Sequence, residues 1–285
     1  MNGKRSIVGK RAFEFVEIGV LPPKPRKKGV IEVRVPYYAA SPTLTYIGDL
    51  LDTWSEYFDG MKFACGTMRM MQKAHVAKII KMCHDHDVYV STGGFVERVL
   101  VQGERAVDRY FEECKELDYD VVEISSGFVQ ISLQDKLAMV RKVRELGMKP
   151  KPEISMMIGA GAGTHIAGYK TKMRPLKEFM EEAKAHIKSG AEIIMVESEG
   201  LTEDLPAEKW RKDVIMKLID EFGYERWMFE AADPEVFKWY LLNVSRDANL
   251  FIDHTQVTEF NAWRLKLWGD TNIWKGKKVG YKGGR

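Results

Sequence analysis

Short β-rich runs alternate with longer amphipathic stretches from residue 30 onward. The β-rich runs fall at residues 30–35, 60–64, 88–92, 121–125, 151–155, 193–197, 227–231 and 249–253. Helical spacing of apolar residues covers residues 44–57, 71–84, 106–117, 133–146, 176–189, 209–222, 234–243 and 257–267. Gly147 and Gly190 follow two of these helices, where a left-handed residue is expected, and Asp233-Pro234 begins another. Eight strand–helix units in series predict an α/β fold, a single-domain (β/α)8 TIM barrel, in preference to an open doubly wound sheet.

The barrel pattern spans residues 29–272, and both ends of the chain depart from it. Residues 1–28 predict an irregular arm because Pro22, Pro23 and Pro25 exclude regular helix. Residues 273–285 form a basic tail, and we interpret this tail and the basic stretch 24–28 as solvated ends. Within the barrel, residues 156–175 predict a long loop after the fifth strand, a position where long loops are often functional.

Composition limits the classes of function. The chain has 285 residues, of which 45% are hydrophobic and 30% charged, and this is typical of a globular protein. A net charge of +3 is too small to indicate nucleic-acid binding. No apolar run could cross a bilayer, and no apolar signal core begins the chain. The three cysteines have no repeating spacing and indicate neither disulfides nor a zinc site, so we expect a cytoplasmic protein.

Polar side chains stand near the ends of nearly all the predicted strands. They are Lys62, Thr92, Glu123, Ser125, Glu153, Ser155, Glu197, Glu230, Asp253 and His254. In a (β/α)8 barrel the C-terminal ends of the strands converge on one mouth, where catalytic residues collect. Glu123 and Ser125 share the strand face opposite Val122 and Ile124, and the apolar face must meet the helices. The polar face is therefore expected to line the interior of the barrel.

Several carboxylates in one cavity repel each other. They must be protonated, paired with Lys62 or Arg34, or bound to a cation. Oxygen ligands with open positions favour magnesium, so we predict a Mg²⁺ ion held by two or three of Glu153, Glu197 and Glu230. The alternative is that ordinary ion pairs with Lys62 and Arg34 neutralise the same carboxylates without a metal.

Other motifs carry weaker signals. Thr92-Gly93-Gly94 follows a strand directly and is a candidate anion seat, because its backbone N–H groups can point into the mouth. The glycine-rich residues 159–163 lack the Lys-Ser/Thr that follows the glycines of a phosphate-binding P-loop, so they predict a flexible loop. His84 and His86 precede the third strand, so we expect them at the opposite face and without a ligand role. No His is paired with Cys65 by spacing, which argues against a nucleophile there.

The strand-end motifs resemble one known family. Lys62-Phe63-Ala64-Cys65-Gly66-Thr67, Ser91-Thr92-Gly93-Gly94, Glu123-Ile124-Ser125, Glu153, Glu197, Glu230-Ala231 and Gly269-Asp270-Thr271 occur in the order found in phosphosulfolactate synthases. That family includes an enzyme of coenzyme M biosynthesis and a plant heat-stress-associated protein. The resemblance covers residues 30–272 and implies a (β/α)8 barrel that adds sulfite to phosphoenolpyruvate with magnesium, giving phosphosulfolactate.

The resemblance and the strand-end positions together predict a set of site residues. The catalytic candidates are Lys62, Glu123, Glu153 and His254. The substrate-binding candidates are Arg34, Thr67, Thr92, Gly93, Gly94, Ser125 and Arg264. We expect a small anionic substrate, no nucleic-acid or membrane partner, and a homo-oligomer.

This chain also departs from the family pattern. Pro36-Tyr37-Tyr38 stands where the enzyme has Asp-Lys-Gly, and Ser126 replaces an Asp. Residues 153–157 lack the two lysines that follow the enzyme's fifth-strand glutamate, one of which is expected to donate a proton. The arginine after the sixth strand is absent from Glu197-Ser198-Glu199.

Three functions therefore stay open. The first is magnesium-dependent sulfite addition to phosphoenolpyruvate. The second is another reaction on a small anionic substrate in the same mouth, suggested by Tyr37, Met156 and His254. The third is a non-catalytic binding protein of the heat-stress type.

Overall fold

A closed barrel of eight parallel strands forms the protein. The computed structural model describes residues 11–36, 43–159, 171–203, 205–268 and 276–281. The strands are β1 (Ile31–Arg34), β2 (Gly60–Lys62), β3 (Tyr89–Ser91), β4 (Val121–Ile124), β5 (Lys149–Ile154), β6 (Met157–Ile158), β7 (Lys172–Met173), β8 (Ile194–Val196), β9 (Trp227–Glu230) and β10 (Asn249–Asp253). The barrel order is β1-β10-β9-β8-β5-β4-β3-β2, while β6 and β7 form a separate antiparallel pair. The predicted single-domain (β/α)8 barrel is confirmed.

Helices surround the barrel. They are α1 (Leu44–Trp54), α2 (Lys73–His84), α3 (Val96–Leu100), α4 (Glu104–Glu116), α5 (Leu133–Glu145), α6 (Leu176–Lys188), α7 (Lys212–Phe222), α8 (Pro234–Asn243) and α9 (Val257–Arg264). The Asp233 side chain accepts a hydrogen bond from the backbone N–H of Glu235, as the predicted helix start requires. Gly147 and Gly190 both have φ of 81°, which confirms the two predicted helix ends.

The main apolar core lies between the strands and the helices. The outward residues of β1 and the residue that follows it, namely Ile31, Val33 and Val35, are fully buried there. Trp227 is fully buried as well, and the rings of Phe229 and Tyr240 stack with centroids 4.7 Å apart. This packing fixes which face of each strand points inward, because strand side chains alternate between faces.

The inward residues are largely charged. A small apolar cluster of Val30, Met195, Met228 and Phe251 occupies part of the interior. Lys151 contacts the Glu32 carboxylate, and its Nζ lies 3.2 Å from Glu123 Oε2. Lys62 Nζ lies 2.9 Å from the same Glu123 oxygen.

This four-residue group, Glu32, Lys151, Glu123 and Lys62, is here called the interior ion ladder. Each of its members is at most 5% exposed, so each charge depends on its neighbour in the ladder for compensation.

The structure adds features that periodicity did not predict. Helix α3 follows the Gly93-Gly94 turn, and β6 and β7 lie within the stretch expected to be an irregular loop. Arg26 also corrects the expectation that residues 24–28 are solvated. Its side chain is 2% exposed and pairs with Asp59 at 2.8 Å, and Asp59 in turn accepts the N–H of Ile31. The arm is therefore attached to the start of β1.

No helix in the described residues is long and apolar enough to span a membrane.

Replacing Lys151 with methionine is expected to lower the free energy of unfolding by about 3–5 kcal/mol, because Glu32 is left as a buried charge without a partner. Adding Glu32→Gln to Lys151→Met should recover part of that loss. Urea unfolding followed by far-UV circular dichroism measures both changes. Penalties that simply add in the double variant would contradict the ion ladder.

Candidate active site at the barrel mouth

Lys62 is a fixed positive charge at the mouth. Its Nζ lies 2.9 Å and 3.1 Å from the two carboxylate oxygens of Glu123 and 4.0 Å from the centre of the Phe251 ring. Burial alone would lower the pKa of Lys62, but Glu123, Glu32 and other carboxylates outweigh burial and hold that pKa above its usual range. Lys62 therefore stays protonated, and it offers charge stabilisation but no amine nucleophile.

Glu123 is the ionised partner of this lysine. Burial would raise its pKa, yet Lys62 and Lys151 together lower it below the ordinary value. Because both of its oxygens contact lysine, Glu123 positions Lys62 and has little capacity left for a proton-transfer role.

Arg34 is the second cation at the mouth. Its Nη2 donates to Glu230 Oε1 at 3.0 Å, and its Nη1 lies 3.9 Å from Asp253 Oδ2. The guanidinium also lies over the Phe251 ring at 5.1 Å. Arg34 and Lys62 thus flank one aromatic ring, and each is already paired with a carboxylate.

Glu153 belongs to a chain of three oxygen-bearing side chains. Ser125 Oγ lies 2.6 Å from Glu153 Oε1 and also contacts Glu97 Oε1. A hydroxyl has one proton, so one of these two contacts requires a protonated carboxyl. Burial, followed by the Glu123 charge, raises the pKa of Glu153 to about 8. We therefore assign the extra proton to Glu153, which donates to Ser125, and Ser125 donates to Glu97.

Glu97 anchors the loop that follows β4. Its carboxylate accepts the backbone N–H groups of Gly127, Phe128 and Val129 at 2.7–3.0 Å, besides the Ser125 hydroxyl. Four donors satisfy the oxygens of this side chain, which belongs to a residue that is 4% exposed. Glu97 was not predicted as a site residue, because it lies in the first turn of helix α3, which periodicity did not indicate.

Three carboxylates form a candidate cation site. Ligand oxygens of Glu197, Glu203 and Glu230 lie within 4.8 Å of one another. Burial, then Glu230 and Glu153, raises the pKa of Glu197 well above its ordinary value. Neither Glu197 nor Glu153 forms an ion pair within the described part of the chain. A divalent cation would relieve the repulsion that this arrangement creates, and three carboxylate oxygens suit magnesium.

Two of the three predicted metal ligands, Glu197 and Glu230, are therefore brought together. Glu203 is the third member of the cluster in place of Glu153, whose carboxyl contacts Ser125 instead. The sequence feature that could have indicated Glu203 as a ligand is its position in the acidic loop after β8, six residues beyond Glu197.

The glycine turn after β3 closes one side of the mouth. Gly93 has φ of 60°, and a Cβ there would lie 2.8 Å from the Phe63 carbonyl oxygen, so only glycine fits. A Cβ on Gly94 would lie 3.0 Å from Ser125 Oγ, so the turn lies directly against the Ser125 side chain. The Thr92 hydroxyl accepts the N–H of Glu123 and donates to the Gly93 carbonyl, so it joins β3 to β4. Thr67 is 5% exposed, and its Oγ1 has no partner within the described residues.

His254 lies at the end of β10, where it was predicted. Its Nδ1 is 3.2 Å from Asp253 Oδ1, and its ring packs edge-on against Tyr46 with centroids 5.6 Å apart. The ring is 2% exposed. Burial opposes ionisation of Asp253, but hydrogen bonds from His254 and Thr255 lower the pKa of Asp253 to about 2.

Arg264 is a correction to the predicted substrate-binding set. Its Nη2 donates to the carbonyl of Gly29, just before β1, and its Nε donates to the carbonyl of Arg246, before β10. Both partners precede strands, so Arg264 lies at the base of the barrel, away from the mouth. His84 and His86 also lie at the base, bonded to Asp120 and Asp52, where they were expected.

The remaining predictions have mixed outcomes. Met156 is 1% exposed and belongs to the core between strands and helices. Tyr37, residues 160–163 and residues 269–271 lie outside the described residues.

A side cavity of about 320 Å³ opens next to the mouth. Ser126 and Ser155, which follow β4 and β5, line it on the barrel side. Its outer wall contains Lys136 and Arg174, both of which contact Glu182. The cavity therefore continues the mouth between α5 and α6.

The chain is similar to one protein family over most of its length. The sequence profile of (2R)-phospho-3-sulfolactate synthase (ComA) matches residues 20–270. The protein HEAT-STRESS-ASSOCIATED 32 of Arabidopsis thaliana is 29% identical over 254 residues, which cover 85% of this chain and 88% of the relative. The phosphosulfolactate synthase of Methanothermobacter thermautotrophicus is 24% identical over 268 residues, covering 91% and 97%.

Among solved structures, 3-keto-L-gulonate-6-phosphate decarboxylase from Vibrio cholerae superposes with a TM-score of 0.51 at 15% identity. The match covers 85% of this chain and 100% of that one. At this identity the similarity concerns the barrel fold alone.

The Glu153 carboxyl makes stability depend on pH. The folded barrel keeps its proton up to about pH 8, whereas an unfolded chain releases it near the ordinary value of 4.5. The folded state binds more protons in that window, so the free energy of unfolding should fall as the pH rises from about 4.5 to about 8. Glu153→Gln should flatten this slope, and the exposed Glu145→Gln should not. Urea unfolding across this range measures the slope, and equal slopes in wild type and Glu153→Gln would refute the assignment.

Proposed function

The chain belongs to the (2R)-phospho-3-sulfolactate synthase (ComA) family, and from this membership we propose that it is a magnesium-dependent synthase that adds sulfite to phosphoenolpyruvate. Family membership and the phosphosulfolactate synthases among its relatives support a synthase or lyase type of function for the barrel. The observation that carries the finer proposal is the composition of the mouth. It combines a permanently charged lysine, a neutral carboxyl and a three-carboxylate cluster.

The charge balance supports a resident cation. Among the described residues, Glu123, Glu197, Glu203, Glu230 and Asp253 lie at the mouth besides the protonated Glu153, and the cations Lys62 and Arg34 are already paired. An anionic substrate would meet repulsion in such a site unless positive charge were added. Glu197, Glu203 and Glu230 would hold the Mg²⁺ ion, which when bound would stabilise the negative charge that develops on the substrate carboxylate.

The chain's own side chains then supply the other two groups that the reaction requires, a fixed positive charge and a proton donor. Addition of sulfite to the methylene carbon of phosphoenolpyruvate forms a C–S bond and sends the double-bond electrons toward the carboxylate. Lys62, held by Glu123, stabilises the anionic substrate without giving up its proton. The carbon that bears the phosphate must next receive a proton, and Glu153 is a protonated carboxyl at the mouth that lies outside the candidate cation cluster. Glu153 thus takes the place of the lysine donor that residues 153–157 lack.

Ser125 and Glu97 support this proton donor. Ser125 accepts a hydrogen bond from the protonated Glu153 carboxyl, and its own hydroxyl donates a hydrogen bond to Glu97. These hydrogen bonds hold the Glu153 carboxyl in one orientation, and Gly94 packs against Ser125. Ser125 is then a positioning residue, which differs from the substrate-binding role predicted for it.

A second candidate function has a specific observation in its favour. The plant heat-stress-associated protein is more similar to this chain, at 29% identity, than the Methanothermobacter synthase, at 24%. In this alternative the mouth binds a small anion, or a different substrate, without sulfite chemistry. Binding of phosphoenolpyruvate without any turnover in the assay below would favour it.

The purified protein is expected to form phosphosulfolactate from phosphoenolpyruvate and sulfite in the presence of Mg²⁺, detected by mass spectrometry. Lys62→Met should lower kcat/KM by roughly 10²–10³-fold, because a preorganised charge at the reacting centre is removed. The control is Lys73→Met at a side chain that is 55% exposed, which should have no effect on turnover. If the wild-type protein forms no product at any sulfite concentration, the proposed sulfite reaction is ruled out.

Glu203→Gln is expected to weaken divalent-cation binding at least about tenfold, because one carboxylate of the cluster is lost. The residue is exposed on a loop, so the fold should be unaffected. Titration with Mn²⁺ followed by electron paramagnetic resonance measures the affinity, and the exposed Glu208→Gln is the matched control. Unchanged Mn²⁺ affinity in Glu203→Gln would show that the cluster is not the cation site.

A further inference from the structure

The acidic loop after β8, residues 198–203, folds around one residue, Ser198. The Ser198 carbonyl accepts the backbone N–H groups of Leu201, Thr202 and Glu203 at 2.9–3.1 Å. Ser198 itself is 7% exposed, although the loop lies at the mouth of the barrel. One carbonyl oxygen therefore fixes the backbone of three successive residues, and the last of them carries a carboxylate of the candidate cation site.

Ser198 also contacts two of the three carboxylates in that site. Its backbone N–H donates to Glu197 Oε1 at 2.9 Å. Its hydroxyl donates to Glu203 Oε2, and the same Oγ lies 3.4 Å from Glu197 Oε1. Two separate donors on one residue thus hold two candidate cation ligands, one of which precedes Ser198 directly while the other follows five residues later.

The backbone of the acidic loop has a second support, the β6–β7 pair. Gly200 has φ of 76°, and a Cβ there would lie 3.2 Å from Met173 Sδ and 3.4 Å from Met157 Cβ. Glycine suits both this backbone conformation and the close approach of the two methionines. The course of the loop therefore depends on the Ser198 carbonyl and on the packing of Gly200. Removal of the Ser198 hydroxyl should loosen the Glu203 side chain without unfolding the loop.

The Glu203 carboxylate requires such a contact because it is repelled from the other two. Glu203 is exposed, whereas Glu197 and Glu230 are half-buried. An exposed carboxylate lowers its free energy by turning toward water and away from like charges. The Ser198 hydroxyl opposes that movement through a charge-assisted hydrogen bond. The three ligands are therefore brought together before a cation arrives, and binding does not have to order the Glu203 side chain.

We propose that Ser198 is a positioning residue for the cation at the mouth, whose hydroxyl and backbone N–H hold Glu203 beside Glu197. This role of Ser198 rests on the proposed function, which includes the cation. Ser198 acts through the two carboxylates and supplies no ligand atom of its own. Loss of its hydroxyl should therefore lower the affinity for a divalent cation, while kcat at saturating Mg²⁺ stays close to that of the wild type.

Titration of the full chain with Mn²⁺, followed by electron paramagnetic resonance, measures the affinity. Ser198→Ala removes the hydroxyl and keeps the backbone N–H and carbonyl, and it should weaken Mn²⁺ binding at least about tenfold. The matched control is Thr202→Val, an isosteric change in the same turn at a residue that gives the turn its backbone N–H. Thr202→Val should bind Mn²⁺ as the wild type does.

A double-mutant cycle separates positioning from a general effect on the fold. In a Glu203→Ala background the main partner of the Ser198 hydroxyl is absent, and only the longer contact with Glu197 remains. Adding Ser198→Ala to Glu203→Ala should therefore weaken Mn²⁺ binding less than about twofold further. Equal losses from Ser198→Ala in the two backgrounds would overturn the proposal, because a residue that only supports the fold gives that result.

Failure of this role and failure of the cation site give different results. Wild-type Mn²⁺ affinity in Ser198→Ala, together with weakened binding in Glu203→Ala, would overturn the role of Ser198 alone. Absence of Mn²⁺ binding by the wild-type protein would overturn the cation site and this role with it. Crystals of Ser198→Ala grown without metal should show the Glu203 carboxylate turned away from Glu197. A carboxylate that has not moved would overturn the proposal whatever the affinities are.

Discussion

Lys151 lies between two carboxylates, Glu32 and Glu123, inside the closed barrel, and each of the three residues is at most 3% exposed. Each charge in the ion ladder can be buried only because the next one compensates it, and the ladder ends at Lys62, where the mouth begins. The orientation of Lys62 is therefore set by side chains on β1, β4 and β5. Three strands therefore determine the position of one functional group at the mouth.

The same electrostatics divides the carboxylates of the mouth into different chemical states. Glu123 contacts two lysines and is ionised, whereas no cation among the described residues contacts Glu153, which keeps a proton near neutral pH. Identical side chains thus supply an anchor and an acid, depending only on which strand carries a lysine beside them. Glu197, Glu203 and Glu230 form a third state, in which like charges are held together in a way that favours an external cation.

Sequence periodicity was sufficient for the barrel because apolar outward positions and polar inward positions alternate on most strands. The inward positions of Lys62, Glu123, Glu153, Glu197 and Glu230 could be predicted from that alternation. The same parity would have identified Lys151 and Glu32, since they lie two residues before Glu153 and Arg34. Order along the chain could not place Arg264, because α9 leads from the mouth to the base and its last turn lies at the far end. Glu97 and Glu203 lie outside the strands, and their partners are backbone groups or loop residues that no pattern of side chains reveals.

The loop after β4 has its length fixed by a single carboxylate. Glu97 holds three consecutive N–H groups, at residues 127–129, and the adjoining Ser125 and Ser126 line the mouth and the side cavity. An insertion or deletion here would remove several hydrogen bonds at once, so natural or laboratory evolution of this barrel should change its ligand through side chains on a loop of constant length. Ser126 and Gln130 line the side cavity without being held by Glu97, which makes them the positions at which new specificities could arise with the least harm to the scaffold.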